Sequence, residues 1–173
     1  MITEIYTGSE AISIADRNTL EDIFTSDLFP WYYNPTTIGD NKINRSQFTH
    51  RIYLDDTVCS DHYSLIHDIF SRKIPEFETH KLTRIKANLN IAHSNRRTLP
   101  PHRDLDGKEG VIYIYYVNDS DGSTILYDER KKIKVYPKKG KLIRFPATTW
   151  HTGNVPRKND RRIVINFVFE PLT

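Results

Sequence analysis

From residue 82 onward the chain is a series of short β-branched and aromatic runs separated by turns, with no helical stretch between them. The runs are RIKANLNIAH (84–93), VIYIYYV (111–117), STILYD (123–128), KIKVYP (132–137), LIRFP (142–146) and RIVINFVF (162–169). NDSDG (118–122) and the KKGK that precedes LIRFP are turn signals. Parallel strands need long, generally helical crossovers, so this series implies antiparallel β rather than βαβ units. Residues 111–117 and 162–169 carry apolar groups at both strand parities. Such strands are buried on both faces and need a further layer outside the sheet.

The first half supplies that layer. Asn18-Thr19 is the expected cap of a helix over 20–29 that ends at Pro30. A second helix is expected from Ser60-Asp61, with Tyr63, Ile66, Ile69 and Phe70 on one face and Pro75 as its stop. Helices first and a curled sheet afterwards predict a mainly β chain, a β-sandwich or jelly roll with helices packed on one sheet. The 173 residues fit one domain, 1–173. A content of 38% apolar and 12% aromatic residues excludes a disordered chain.

No run of 18 apolar residues offers a membrane span. The N-terminus lacks the basic-then-apolar order of a secretory signal. Cys59, the sole cysteine, excludes an internal disulfide and any Cys-rich zinc or iron–sulfur site. A cytoplasmic location is the expectation. The net charge of +3 is mild, but basic residues cluster at Arg96-Arg97, at Lys131, Lys132, Lys134, Lys138, Lys139 and Lys141, and at Arg157, Lys158, Arg161 and Arg162. Such clusters are solvated faces more often than nucleic-acid surfaces, and no zinc-finger, helix-turn-helix or phosphate-loop pattern accompanies them.

Within PPHRDLDG (101–108), His102 and Asp104 stand two residues apart. On a strand, such side chains point to one side and can grip one ion. Alone, an H-x-D is more often a loop salt bridge or a surface pair. His151, in TTWHTGNVP (148–156), is separated from it by several predicted strands, and a rolled sheet can return it to the same mouth. Two imidazoles and a carboxylate suit Fe(II) with open positions for O2. Zinc can use the same ligands.

Several further elements share an order and spacing with a known family. They are HRD at 102–104, YYVND and GST at 115–124, VYPKKGKLIRFP at 135–146, WHTGNVP at 150–156 and RRIVINFVF at 161–169. Over residues 82–170 the chain resembles the 2-oxoglutarate/Fe(II)-dependent oxygenases, in particular their prolyl-hydroxylase-like branch. One departure is Gly122-Ser123, where the family has a double glycine. The resemblance implies a double-stranded β-helix (jelly roll, cupin-like) with His102, Asp104 and His151 as iron ligands and catalytic centre. It implies Fe(II), 2-oxoglutarate and O2 as cofactor and co-substrates. The reaction it implies is hydroxylation of an unactivated C–H bond, with release of succinate and CO2.

A basic residue after the distal histidine is then expected to meet the far carboxylate of 2-oxoglutarate. Arg161 and Arg162 are adjacent candidates that face opposite ways. Asn166 shares a face with Arg162, which favours Arg162 as the clamp. Tyr116, Ile114, Thr124 and Asn90 are the other expected co-substrate contacts. Specificity is expected in residues 31–51, 93–101 and 104–110, with Trp31, Tyr32, Tyr33 and Arg97 forming part of a groove. A prolyl residue in a peptide or protein is the leading substrate. A nucleic-acid base, a nucleotide or a free amino acid is the alternative, and a non-catalytic metal- or ligand-binding β-sandwich is a reading of a different class. No membrane partner is expected, and the sequence carries no sign of oligomeric state.

Overall fold

The strand Val111–Tyr116 sends its side chains into two different cores. The computed structural model of the chain describes residues 4–6, 11–35, 46–92, 98–128 and 131–172. In order, the elements are β1 (Glu4–Tyr6), α1 (Ile14–Thr25), β2 (Tyr32–Asn34), β3 (Gln47–Leu54), β4 (Thr57–Val58), α2 (Tyr63–Phe70) and α3 (Glu76–Thr79). They continue with β5 (His80–Ile91), β6 (Val111–Tyr116), β7 (Thr124–Asp128), β8 (Lys131–Val135), β9 (Leu142–Pro146), β10 (Trp150–Gly153) and β11 (Arg161–Pro171).

A large antiparallel sheet runs in the order β1-β9-β6-β11-β5-β3-β2, with β4 paired to β3, and a small sheet runs β10-β7-β8. Odd-numbered residues of β6 and β11, among them Tyr113, Tyr115, Ile163, Ile165, Phe167 and Phe169, pack against Leu20, Phe24, Ile66, Ile69, Phe70 and Ile74 of the helical layer. Even-numbered residues, Ile112, Ile114, Tyr116, Val164 and Val168, pack with Leu126, Val135, Ile143 and Phe145 between the two sheets. The period-2 alternation of a strand thus divides one apolar run between two cores. This is the predicted mainly β jelly roll with helices on one sheet.

The helix boundaries differ from those expected. α1 starts at Ile14, because the Ser13 hydroxyl accepts the Asp16 N–H; Asn18 and Thr19 lie inside it, and it ends at Thr25, well before Pro30. α2 buries Ile66, Ile69 and Phe70 as expected but stops at Phe70. Pro75 precedes the short α3, where proline's fixed φ suits a helix start. α3 is anchored by Glu76, which is buried and accepts from Tyr113 Oη at 2.6 Å and from Arg144 Nη2 at 2.8 Å. Burial raises the Glu76 carboxyl, but those bonds outweigh it and hold the group below its ordinary value. Part of residues 31–51, expected as a specificity loop, forms β2 and β3 instead.

Among the described residues, no helix is long and apolar enough to cross a membrane. Lys131, Lys132 and Lys134 are exposed on β8, whereas Lys138 pairs with Asp119 at 3.0 Å and Lys139 with Glu21. The lysine-rich hairpin is therefore partly a structural tie. Cys59 is a free, exposed thiol.

Candidate active site

The link from β9 turns tightly, with Thr149 N–H donating to Pro146 O at 2.9 Å, and delivers His151 on β10. Residues 98–102 run back along the free edge of β10. Thr98 bridges Asn154, and His102 and His151 exchange two backbone hydrogen bonds of 2.9 Å each. His102 is thus a single bridge residue rather than part of a strand, and Asp104 lies in the turn after it. Even so, the three side chains converge. Their donor atoms all lie within 4.8 Å of one another. His102 Nε2 and His151 Nε2 are each 3.7 Å from an oxygen of Asp104. Such spacings suit donors that share one ion with bonds of about 2.1 Å.

The imidazoles are set for ligation. His151 Nδ1 faces Thr149 O at 3.1 Å, and His102 Nδ1 faces Pro100 O at 3.4 Å. A carbonyl accepts only from Nδ1–H, so in the neutral tautomer Nε2 carries the lone pair that a metal takes. The His151 ring packs on Phe145 with centroids 4.9 Å apart, and burial lowers its pKa to about 4, so it is neutral at pH 7. Burial acts against the charge of Asp104, but Arg84 and the imidazoles outweigh it and keep the carboxyl below its usual range. Arg84 Nη2 donates to Asp104 Oδ1 at 2.8 Å. Asp104 Oδ2 is buried with no hydrogen-bond partner among the described residues. An orphaned carboxylate oxygen facing the Nε2 atoms of two imidazoles fits a cation.

A cleft of about 590 Å³, part of it open to solvent, contains this triad and extends to Arg162. Arg162 is only 4% exposed. It donates from Nη2 to Thr124 Oγ1 at 2.8 Å and faces Asn90 Oδ1 from Nη1 at 3.5 Å, while its Nε has no partner among the described residues. No carboxylate among the described residues pairs with it. Burial lowers its pKa. A buried guanidinium with only neutral partners is a place for an anion. Gly122 makes room for this chain: a Cβ there would stand 2.9 Å from Arg162 Cδ and 2.6 Å from Asn154 O.

The other expected residues fall as follows. Ile114, Thr124, Asn90 and Asn166 line the same cleft. Arg161 is exposed and does not line it. Tyr116 is fully buried behind two residues that line the cleft: its hydroxyl donates to Thr124 at 2.7 Å, and the Arg162 guanidinium stands 5.8 Å from its ring centroid. Trp31 packs with Phe24 and Phe29 instead of forming a groove, while Tyr32 and Tyr33 stay exposed on the edge strand β2. Arg96, Arg97 and residues 36–45 lie outside the described residues. Sequence reasoning missed Arg84, Lys86, Asn88 and Gln47. A signal was present, since Arg84, Lys86, Asn88 and Asn90 form a polar row at strand period in an otherwise apolar setting.

No family model and no curated protein sequence matches the chain. Solved structures do. An oxidoreductase of the 2OG-Fe(II) oxygenase family from Burkholderia pseudomallei superposes with a TM-score of 0.73 at 15% identity, covering 96% of this chain and 84% of that one. A prolyl hydroxylase from Trichoplax adhaerens, in complex with a hypoxia inducible factor peptide fragment, gives 0.64 at 17% identity over 97% and 83%. A non-heme alpha ketoglutarate dependent epimerase from nogalamycin biosynthesis gives 0.68 at 10% identity over 93% and 75%. The chain has the fold of the 2OG-Fe(II) oxygenases.

Proposed function

We propose that the protein is an Fe(II)- and 2-oxoglutarate-dependent oxygenase that hydroxylates a C–H bond of its substrate. One observation carries the reading: a single cleft holds three donors fit for a divalent cation and, apart from them, a buried guanidinium without an acid partner among the described residues. A metal-chelating dicarboxylate satisfies both. His102, Asp104 and His151 would hold Fe(II), which when bound supplies the O2 activation that couples 2-oxoglutarate decarboxylation to hydroxylation. Arg84 fixes the Asp104 carboxylate, and the two backbone carbonyls fix the imidazoles. Arg162 receives the far carboxylate of 2-oxoglutarate, with Thr124 and Asn90 setting the angle of its fork. Ile114 and Val164 supply apolar wall between the two ends.

The first substrate to test is a prolyl residue in a peptide. The motifs at 102–104 and 150–156 and the likeness to the peptide-bound prolyl hydroxylase support it. The likeness to an epimerase makes small molecules the second. Anaerobic addition of Fe(II) and 2-oxoglutarate should give a weak visible charge-transfer band. Succinate release across a panel of prolyl peptides, amino acids and nucleotides should then identify the substrate. Asp104→Ala should abolish the band and the turnover while leaving the circular dichroism unchanged. A variant that turns over like the wild type removes Asp104 from the metal site.

A further inference from the structure

The cleft side of β5 presents Arg84, Lys86, Asn88 and Asn90 in a row. The two ends of the row are occupied: Arg84 bonds Asp104, and Asn90 stands against Arg162. The middle is not. Among the described residues, Lys86 makes no hydrogen bond and no ion pair. Among the same residues, Asn88 Oδ1 is buried without a partner, as is the Oδ1 of Asn166, which sits directly across from Lys86 on β11. On its other side, Lys86 faces Arg51 of β3. Lys86 therefore feels two cations, Arg84 and Arg51, against one carboxylate, Asp104, which Arg84 already bonds. Burial first, and Arg84 next, lower Lys86 to about 8, a sign that the ammonium is poorly compensated where it stands. An anion from outside would restore the balance.

The co-substrate is not that anion. Lys86 is four residues along β5 from Asn90, about 13 Å at a strand rise of about 3.3 Å per residue. In the function proposed above, on which this inference rests, one carboxylate of 2-oxoglutarate belongs to Arg162 and the other to the metal.

We propose that Lys86 is the specificity residue for the primary substrate. It receives a carboxylate or phosphate of that substrate, while the side-chain carbonyls of Asn88 and Asn166 accept N–H or O–H donors beside the anion. The substrate is thus an anionic compound or segment with adjacent donors, as in an amino acid or an acidic peptide. A purely apolar substrate does not satisfy this middle part of the cleft.

The test uses full-length protein loaded with Zn(II), which is diamagnetic, and saturated with 2-oxoglutarate. Its lysines carry 13C at Cε, and the Lys86 resonance is assigned by its loss in Lys86→Met. Acetate, inorganic phosphate and neutral acetamide are the probes. Acetate or phosphate should move the Lys86 resonance saturably, and acetamide should not. The anion that saturates at the lower concentration identifies the carboxylate or the phosphate class. Calorimetry should show this second anion bound at least tenfold more weakly by Lys86→Met and retained by Lys86→Arg. An unmoved Lys86 resonance, undiminished binding in Lys86→Met, or displacement of 2-oxoglutarate by the probe overturns the proposal. A protein that fails to bind 2-oxoglutarate, yet shifts Lys86 with an anion, refutes the oxygenase reading and keeps the anion site.

Discussion

Arg161 and Arg162 differ by one position and by everything that matters to a ligand. Arg162 lies under the sheet with its guanidinium on Thr124; Arg161 lies in solvent. Removing the buried partner of a charge pair costs about 2–5 kcal/mol, a loss of about thirtyfold to several thousandfold in affinity. Arg162→Ala should lose that much affinity for 2-oxoglutarate in a calorimetric titration with Mn(II), and Arg161→Ala should change it by less than about threefold. The reverse order would exclude Arg162 as the clamp. This face was legible in the sequence because Asn166 is a polar residue four positions along an apolar strand. The depth of Tyr116 was not, since Thr124 and Arg162 both stand between it and the open cleft. Spacing reports side, not depth.

At the scale of elements, the helical layer is held to the sheet by more than apolar contact. Glu76 ties α3 to β6 through Tyr113 and to β9 through Arg144. Breaking a buried pair by removing one partner costs about 3–5 kcal/mol, so Glu76→Gln should lower unfolding stability by about 3 kcal/mol in urea titrations at pH 7. Because the folded carboxyl is held below its ordinary value, its contribution is present above the unfolded pKa of about 4.3 and is lost as pH falls through the folded value. The variant's stability should accordingly depend less on pH than the wild type's between about pH 5 and 3. Sequence periodicity located α2 and the strands after residue 82, where apolar runs are long. It misplaced the start of α1 because Ser13, Asn18 and Thr19 are all acceptable caps, and only packing of Leu20 and Phe24 selects among them. β3 went unread because its alternation of Phe48, His50, Ile52 and Leu54 includes a histidine, buried here by bonds to Pro30 O and Ser60 Oγ.

For the whole molecule, the motifs lie between residues 82 and 170, but the large sheet does not end there. β3 lies beside β5, and the odd-numbered side chains of β6 and β11 are covered by α1 and α2. A fragment beginning at residue 82 would present Tyr113, Tyr115, Ile165, Phe167 and Phe169 to water. At about 1.5–3 kcal/mol for each large apolar side chain buried, those five side chains alone contribute as much as a typical folding stability of about 5–15 kcal/mol. The fragment should bind a hydrophobic dye and lack a cooperative thermal transition, whereas the full chain should show one transition by calorimetry and circular dichroism alike. A fragment that melts cooperatively would assign residues 1–81 to a separate folding unit.

The reciprocal backbone bonds between His102 and His151 also have a kinetic meaning. Each histidine's amide is locked to the other's carbonyl, so neither amide can reach solvent unless the 98–102 segment lifts from β10. A divalent ion gripped by both side chains would be a second fastener across the same seam. Deuterium uptake at these two amides should slow on addition of Zn(II), and uptake at Tyr32 and Tyr33 on the far edge strand should not change. The pattern of slowed uptake would trace how far the fastening extends.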